Sequence, residues 1–317
     1  MQTILRFLFL LICLSLASCE PEISEKKDKA MNERKLSEII SLEHNKLLKE
    51  TTQKISLLEK NTKKYLETLS DEDYSKWRKA WRSAHQSFIA ITFLPINENF
   101  SEIEAWPLTP GFIDSIENYP YSGIVNDSTI EITPDVLKAQ HMITDPSEIS
   151  LGFHVLEYYA FERKREDLNG TEEVNKRRRA LISIVSELLV KEIKALEKEP
   201  PMKIDISYPE LITHIKDRVQ RIHIEIRSAE HCAFSESTGG IVRYQLMVFN
   251  EIFNNTLEID KYLEEISPDS SDEIESLLKE IKNYNTSLET SYLEGLIPKL
   301  IRIEQILSDL ENLERVS

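Results

Sequence analysis

"ISLGFHVLEYYAF", residues 149–161, places Gly152, His154 and Glu157 in a run that is otherwise apolar. Leu151, Phe153, Val155, Leu156, Tyr158, Tyr159 and Phe161 leave no polar side for water, so a helix here is central and buried all round. Residues three apart on a helix share a face, so His154 and Glu157 point to the same place. Burying two ionisable groups costs several kcal/mol per ion unless they are paired or ligated. A neutral imidazole and a carboxylate can share a transition metal, or the carboxylate can orient the imidazole as its outer partner. A buried His–Glu hydrogen bond that only ties helices together is the plainer alternative.

The surrounding pattern is helical. Leu36, Ile39, Ile40, Leu47, Ile55 and Leu58 recur at helical spacing in a charged background. Ser70 reads as the N-cap of a helix whose stripe is Trp77, Trp81, Ala84 and Phe88, spaced for core packing. Further helices are predicted around 171–198, 208–231, 240–265, 271–290 and 291–314. Tyr208, Leu211, Ile215, Val219, Ile222 and Ile226 form one stripe in the second of these. Pro200-Pro201, Gly239-Gly240 and the Pro268–Ser271 segment separate most of them, and Ser270 with Glu273 reads as a capping box. Only "STIEI" (128–132) alternates like a strand. The fold class is therefore all-α, in two antiparallel helical bundles: 35–168 forms the first and 169–317 the second.

One segment resists this pattern. Residues 95–147 contain Pro95, Pro107, Pro110, Pro120, Pro134 and Pro146, with Gly111 and Gly123 among them. So long an irregular excursion marks function rather than a simple connection. Its end, "DPSE" (145–148), reads as the capped start of the helix that carries His154.

The N-terminus reads as an address. Arg6 precedes a short apolar run, Phe7 to Leu16, too short for a stop-transfer span. Leu16-Ala17-Ser18-Cys19 has the form of a lipobox, which makes residues 1–19 a lipoprotein signal and Cys19 the lipidated N-terminus. Residues 20–34 read as a flexible tether. The expected location is the bacterial cell envelope, at the outer membrane facing the periplasm, since Glu20 rather than aspartate follows the cysteine. With Cys13 and Cys19 in the signal, Cys232 is alone in the mature chain, so no internal disulfide is expected. A net charge of −16 argues against nucleic acid or anionic lipid as partner and is compatible with gathering cations.

"EIEAWPLTPGFID" (102–114), followed by "GFHVLEYYAF" (152–161), resembles the imelysin family, whose members include envelope proteins linked to iron uptake and nominal metallopeptidases. The matching elements are Trp106-Pro107 with Asp114, and the G-x-H-x-x-E motif of Gly152, His154 and Glu157. "HCAFSESTGG" (231–240) is a weaker third echo. Thr92 stands where family members often carry an arginine. The resemblance implies duplicated helical bundles with a site at their interface. His154 and Glu157 are then the expected metal ligands, with iron the first choice and zinc the second. Glu104 and Asp114 are expected to converge on them if the excursion folds over the bundle. Trp106 serves as a wall, and Ser235 and Ser237 as polar contacts from the second half. An envelope transport partner completes the picture.

Two other functions compete. A zinc peptidase needs three protein ligands and a base, and its helix supplies H-E-x-x-H or H-x-x-E-H. Here Tyr158 follows Glu157, so the second imidazole is missing from this helix. His85, His214, His223 and His231 sit in no recognisable ligand motif, and His214, in H-x-x-D with Asp217, reads as part of a solvated face. The other competitor is a non-catalytic envelope scaffold in which the His–Glu pair is structural. The anchor is tested separately: Cys19→Ala should release the protein from the membrane fraction or leave the signal uncleaved, and unchanged fractionation and processing contradict the lipobox.

Overall fold

The computed structural model describes residues 20–95, 100–198, 206–283 and 293–316, with side chains from residue 35. The expected signal and lipidation site, residues 1–19, lie outside the described residues. The helices in chain order are α1 (Glu20–Thr68), α2 (Asp71–Ile91), α3 (Pro110–Ile113), α4 (Pro134–Gln140), α5 (Phe153–Glu157) and α6 (Glu166–Asn169). They continue as α7 (Glu173–Lys198), α8 (Tyr208–Ser228), α9 (Thr238–Glu251), α10 (Ile259–Ile266), α11 (Pro268–Asn283) and α12 (Ile297–Val316). Among the described residues there is no strand, only one isolated bridge between Ile116 and Tyr119. The fold is all-α.

The expected tether 20–34 is instead the first part of α1. Beyond Pro21 it holds no proline or glycine, and its Glu, Lys and Ala residues favour helix. α1 and α2 form an antiparallel hairpin across Leu69 and Ser70. The Ser70 hydroxyl accepts from Asp73 N, as its N-cap reading requires. Trp77, Trp81, Ala84 and Phe88 are all buried, and Trp77 stacks on Tyr65 of α1 at 5.2 Å. Burying such aromatic rings is worth about 2–3 kcal/mol each, so this hairpin is a rigid base for what it carries.

α7 packs along α1, although the sequence division at 168/169 places it in the second bundle. Apolar periodicity shows that a helix has a buried face but not which neighbour covers it. α8, α9, α10, α11 and α12 make the other group, in which α12 lies along α8 and α10 against α11. α9 also touches α2, which joins the two groups through one continuous core. The α8 stripe is buried from Leu211 to Ile226, with Tyr208 half-buried at its start, and Ser207 and Glu210 close a capping box there.

Several local expectations are corrected. Residues 145–148 form a turn of their own, with Glu148 accepting from the Thr144 and Asp145 amides, and α5 begins only at Phe153. α11 starts at Pro268, ahead of the predicted Ser270 cap. The helix expected over 240–265 is broken by a wide π-type turn, Ile252–Thr256, before α10. "STIEI" does not pair as a strand. The Asp127 carboxylate takes the Thr129 amide and hydroxyl, and the Ile130 carbonyl goes to Arg177.

Two adjacent arginines of α7 pin the excursion. Arg177 donates to the carbonyls of Val125, Ile124, Asp127 and Ile130. Arg178 makes a two-pronged bond to Asp114, with both contacts at 2.8 Å. At its other end, Gly152 precedes α5 with φ 85° and ψ −169°, a conformation essentially restricted to glycine. A Cβ there would lie 2.5 Å from the Ile103 carbonyl oxygen, which accepts the Phe153 amide at 3.0 Å. Gly152→Ala should therefore cost about 3 kcal/mol or more, from backbone strain plus the clash. A denaturant melt checks this, and a stability within about 0.5 kcal/mol of wild type contradicts it.

Candidate metal centre

Three segments far apart in sequence meet at one carboxylate. α2 brings His85, one turn beyond Trp81. α5 brings His154, and the chain after α8 brings His231. The excursion supplies Glu104, whose Oε1 lies 2.9 Å from His85 Nε2, 3.2 Å from His154 Nε2 and 2.8 Å from His231 Nε2. The ligand atoms of these four residues all lie within 4.8 Å of one another. The histidine side chains are no more than 3% exposed and Glu104 is 10% exposed. Glu104 Oε2 is buried and accepts no hydrogen bond among the described residues. Two indoles close the flanks: Trp81 stacks on His85 at 5.0 Å and Trp106 on His231 at 4.8 Å.

Each imidazole has a polar group behind its Nδ1. His154 Nδ1 lies 2.7 Å from Glu157 Oε2. Glu157 Oε1 in turn accepts from the Ser235 amide and hydroxyl, at 2.9 and 2.7 Å. His231 Nδ1 is 3.0 Å from Glu225 Oε2, off the line of a good hydrogen bond, and Gln245 donates to both Glu225 oxygens. Cys232 Sγ lies 3.6 Å from His85 Nδ1. A carboxylate only accepts, so Glu157 keeps the His154 proton on Nδ1 and turns Nε2 toward the centre.

The charge balance is unusual for a buried site. Burial opposes ionisation of Glu104, yet His85, His154 and His231 outweigh it and hold its carboxyl well below the usual range. Burial likewise opposes a charge on His154, but Glu104 and Glu157 raise it to about 10. His231 is raised against its burial by Glu104 and Glu225, whereas burial lowers His85. Burial, with the surrounding glutamates, pushes the Cys232 thiol well up. Three carboxylates thus call for positive charge at the centre, and a proton or a metal ion can supply it.

The imelysin family (peptidase M75) profile matches residues 43–290. The chain belongs to the imelysin family. Among solved structures it is similar to an imelysin-like protein from Psychrobacter arcticum 273-4, with TM-score 0.66 and 12% identity over 88% of this chain and 93% of that one. It is also similar to a putative iron-regulated protein A precursor from Parabacteroides distasonis ATCC 8503, with TM-score 0.61 and 13% identity over 87% and 92% of the chains. At such identities the likeness speaks to the fold. The sequence has no significant match among curated proteins.

In this imelysin the motif histidine faces the centre, while the motif glutamate stands behind it. Glu157 also groups with His154 and Cys232, whose ligand atoms lie within 4.8 Å of one another. Glu104 is the convergence point, and Trp106 forms a wall. Gly152 sets the entry to α5, Ser235 anchors Glu157, and Ser237 Oγ lies 2.5 Å from Ser235 Oγ. Asp114 does not join the cluster, because Arg178 binds both its oxygens and Arg163 lies 3.5 Å away. His214 is half-buried on α8 and pushed down to about 4 by burial and Arg218, so the solvated-face expectation fails; it is no part of the centre. His223 faces Glu304.

The residues fit a metal. Three imidazoles and a carboxylate are a donor set for a borderline divalent ion, and His85, His154, His231 and Glu104 would hold it, with the orphaned Glu104 Oε2 as a further donor. In metal-free protein, a histidine raised from 6.5 to about 10 stabilises the fold fully below pH 6.5 and loses that contribution as pH rises through 10. Urea melts in chelator should therefore show stability falling between pH 6.5 and 10, and falling less in His154→Gln. Equal profiles for the two proteins contradict the assignment.

Proposed function

We propose that this imelysin is a lipid-anchored bacterial envelope protein that binds a divalent transition metal, iron first and zinc second, in the service of iron uptake. The observation that carries the reading is the convergence of three imidazole Nε2 atoms on one Glu104 oxygen. Ferric iron favours oxygen donors, whereas imidazole suits ferrous iron, zinc, copper and nickel, so the donor set supports the divalent form. The name of the Parabacteroides neighbour, a putative iron-regulated protein, supports iron among these. The apolar run before Cys19 and the acidic surface support the envelope setting, with the lipid as the only membrane contact, an envelope transport protein as partner and no nucleic acid.

The chain's own residues perform three tasks. His85, His154, His231 and Glu104 bind; Glu157, Glu225 and Cys232 hold the three rings in register; Trp81 and Trp106 exclude water from the ring faces. A bound metal would supply the positive charge that the carboxylates otherwise draw from protons. A peptidase would need an open coordination position and room for a peptide. The near-complete burial of these side chains favours retention of an ion instead.

Metal analysis and titration of purified protein test the proposal. His154→Ala, His231→Ala and Glu104→Gln should each abolish stoichiometric ferrous iron and zinc binding. Glu157→Gln should weaken it about 10–100-fold, the usual effect of losing an outer partner. His214→Ala should leave it unchanged. Because binding displaces protons from His154, affinity should rise with pH through neutrality. Wild-type protein that binds neither metal would make the cluster a structural one.

A further inference from the structure

Near the centre, three arginines form no ion pair among the described residues: Arg218, buried on α8 over the Phe93 ring, and, on the other side, Arg78 and Arg82, of which only Arg82 feels the Glu157 carboxylate. Arg78 and Arg82 lie one turn apart on α2, on the approach to His85. Both guanidinium carbons sit over the ring of Phe161, at 4.5 and 4.4 Å from its centroid. Their neighbours are differently served: Arg163 meets Asp114 and Asp167, Arg165 meets Asp71, and Lys76 meets Glu72. Among the described residues neither Arg78 nor Arg82 forms an ion pair, and Arg78 Nε is buried without a hydrogen-bond partner. Arg82 gives one N–H to the Ser235 carbonyl at 3.3 Å. Two like charges held side by side and half-buried repel one another unless an anion lies between them.

Their place in the fold matters. Phe161 follows α5 directly, and Ser235 is the residue that anchors Glu157. The pair therefore sits on the outer wall of the cation centre, separated from His154 by Ser235 and Glu157. Guanidiniums match carboxylates through parallel N–H donors. Both guanidiniums lie against one ring, 4.5 and 4.4 Å from its centroid, so a single small molecule bearing two carboxylates could meet both.

We propose that Arg78 and Arg82 form a binding site for a small di- or tricarboxylate, seated over Phe161 beside the metal centre. Its use, to hold an organic acid that accompanies the cation, rests on the metal-binding reading; its existence does not. The probe is tricarballylate, a tricarboxylate without a chelating hydroxyl, titrated calorimetrically into chelator-treated protein. Wild type should bind it with one-to-one stoichiometry. Arg78→Gln/Arg82→Gln should weaken binding about tenfold or more, as loss of charge-assisted bonds requires. Arg302→Gln/Lys299→Gln, which removes the same charge elsewhere, should not. His154→Ala should keep tricarballylate binding even where it loses metal, which separates failure of this site from failure of the centre. Circular dichroism melts establish that the double variant folds, and Arg78→Lys/Arg82→Lys, which keeps both charges, should recover part of the affinity. Absence of binding by wild type, or equal binding by wild type and a folded double glutamine variant, would overturn the proposal.

Discussion

One carboxylate oxygen, Glu104 Oε1, accepts three imidazoles at once, and much of the structure serves that crowding. An ionised glutamate in a nearly dry site costs several kcal/mol and survives only if positive charge surrounds it. The histidines provide it, but two of them then need carboxylates of their own behind them. Glu157 and Glu225 fill those places, and Ser235 and Gln245 satisfy those carboxylates in turn. Among the described residues the network leaves Glu104 Oε2, His231 Nδ1 and Gln245 Oε1 without a hydrogen bond.

The scaffold holds this arrangement with elements that do no chemistry. Trp77 locks α2 against α1 and Trp81 locks it against α5, stacking on His85, so His85 has little freedom. Gly152 lets the chain turn sharply enough to bring α5 beneath Ile103 and aim His154 inward. Arg177 and Arg178 hold the excursion by its carbonyls and by Asp114, which keeps Glu104 and Trp106 over the helices. Asp114 is thus part of the support, although its place in the motif suggests a ligand.

The amphipathic helices could be read in the sequence because apolar periodicity reports a buried face directly. Pairing could not: the periodicity of α7 reports a buried face, and only the structure shows that α1 covers it. Charged composition suggested a tether where α1 runs, since high polarity alone does not separate a solvated helix from a coil. The G-x-H-x-x-E motif marks the helix that brings His154 to the cluster, and the Pro-rich excursion is the segment that supplies Glu104. His85 was hidden in an aromatic stripe, where an imidazole passes for packing. His231 had no sequence spacing to relate it to His154, because only tertiary folding brings them together. The adjoining Cys232, and Ser235 four residues beyond His231, are the nearest thing to a signal.

Crystallography with metal decides whether the four side chains hold a cation or form only a buried hydrogen-bond cluster. Crystals grown with ferrous iron under anaerobic conditions, and in parallel with zinc, should show an anomalous difference peak among the Nε2 atoms of His85, His154 and His231, with Glu104 drawn aside as a ligand. A structure in which the three imidazoles still meet on Glu104 Oε1, with no anomalous peak between them at saturating metal, would contradict the cation site.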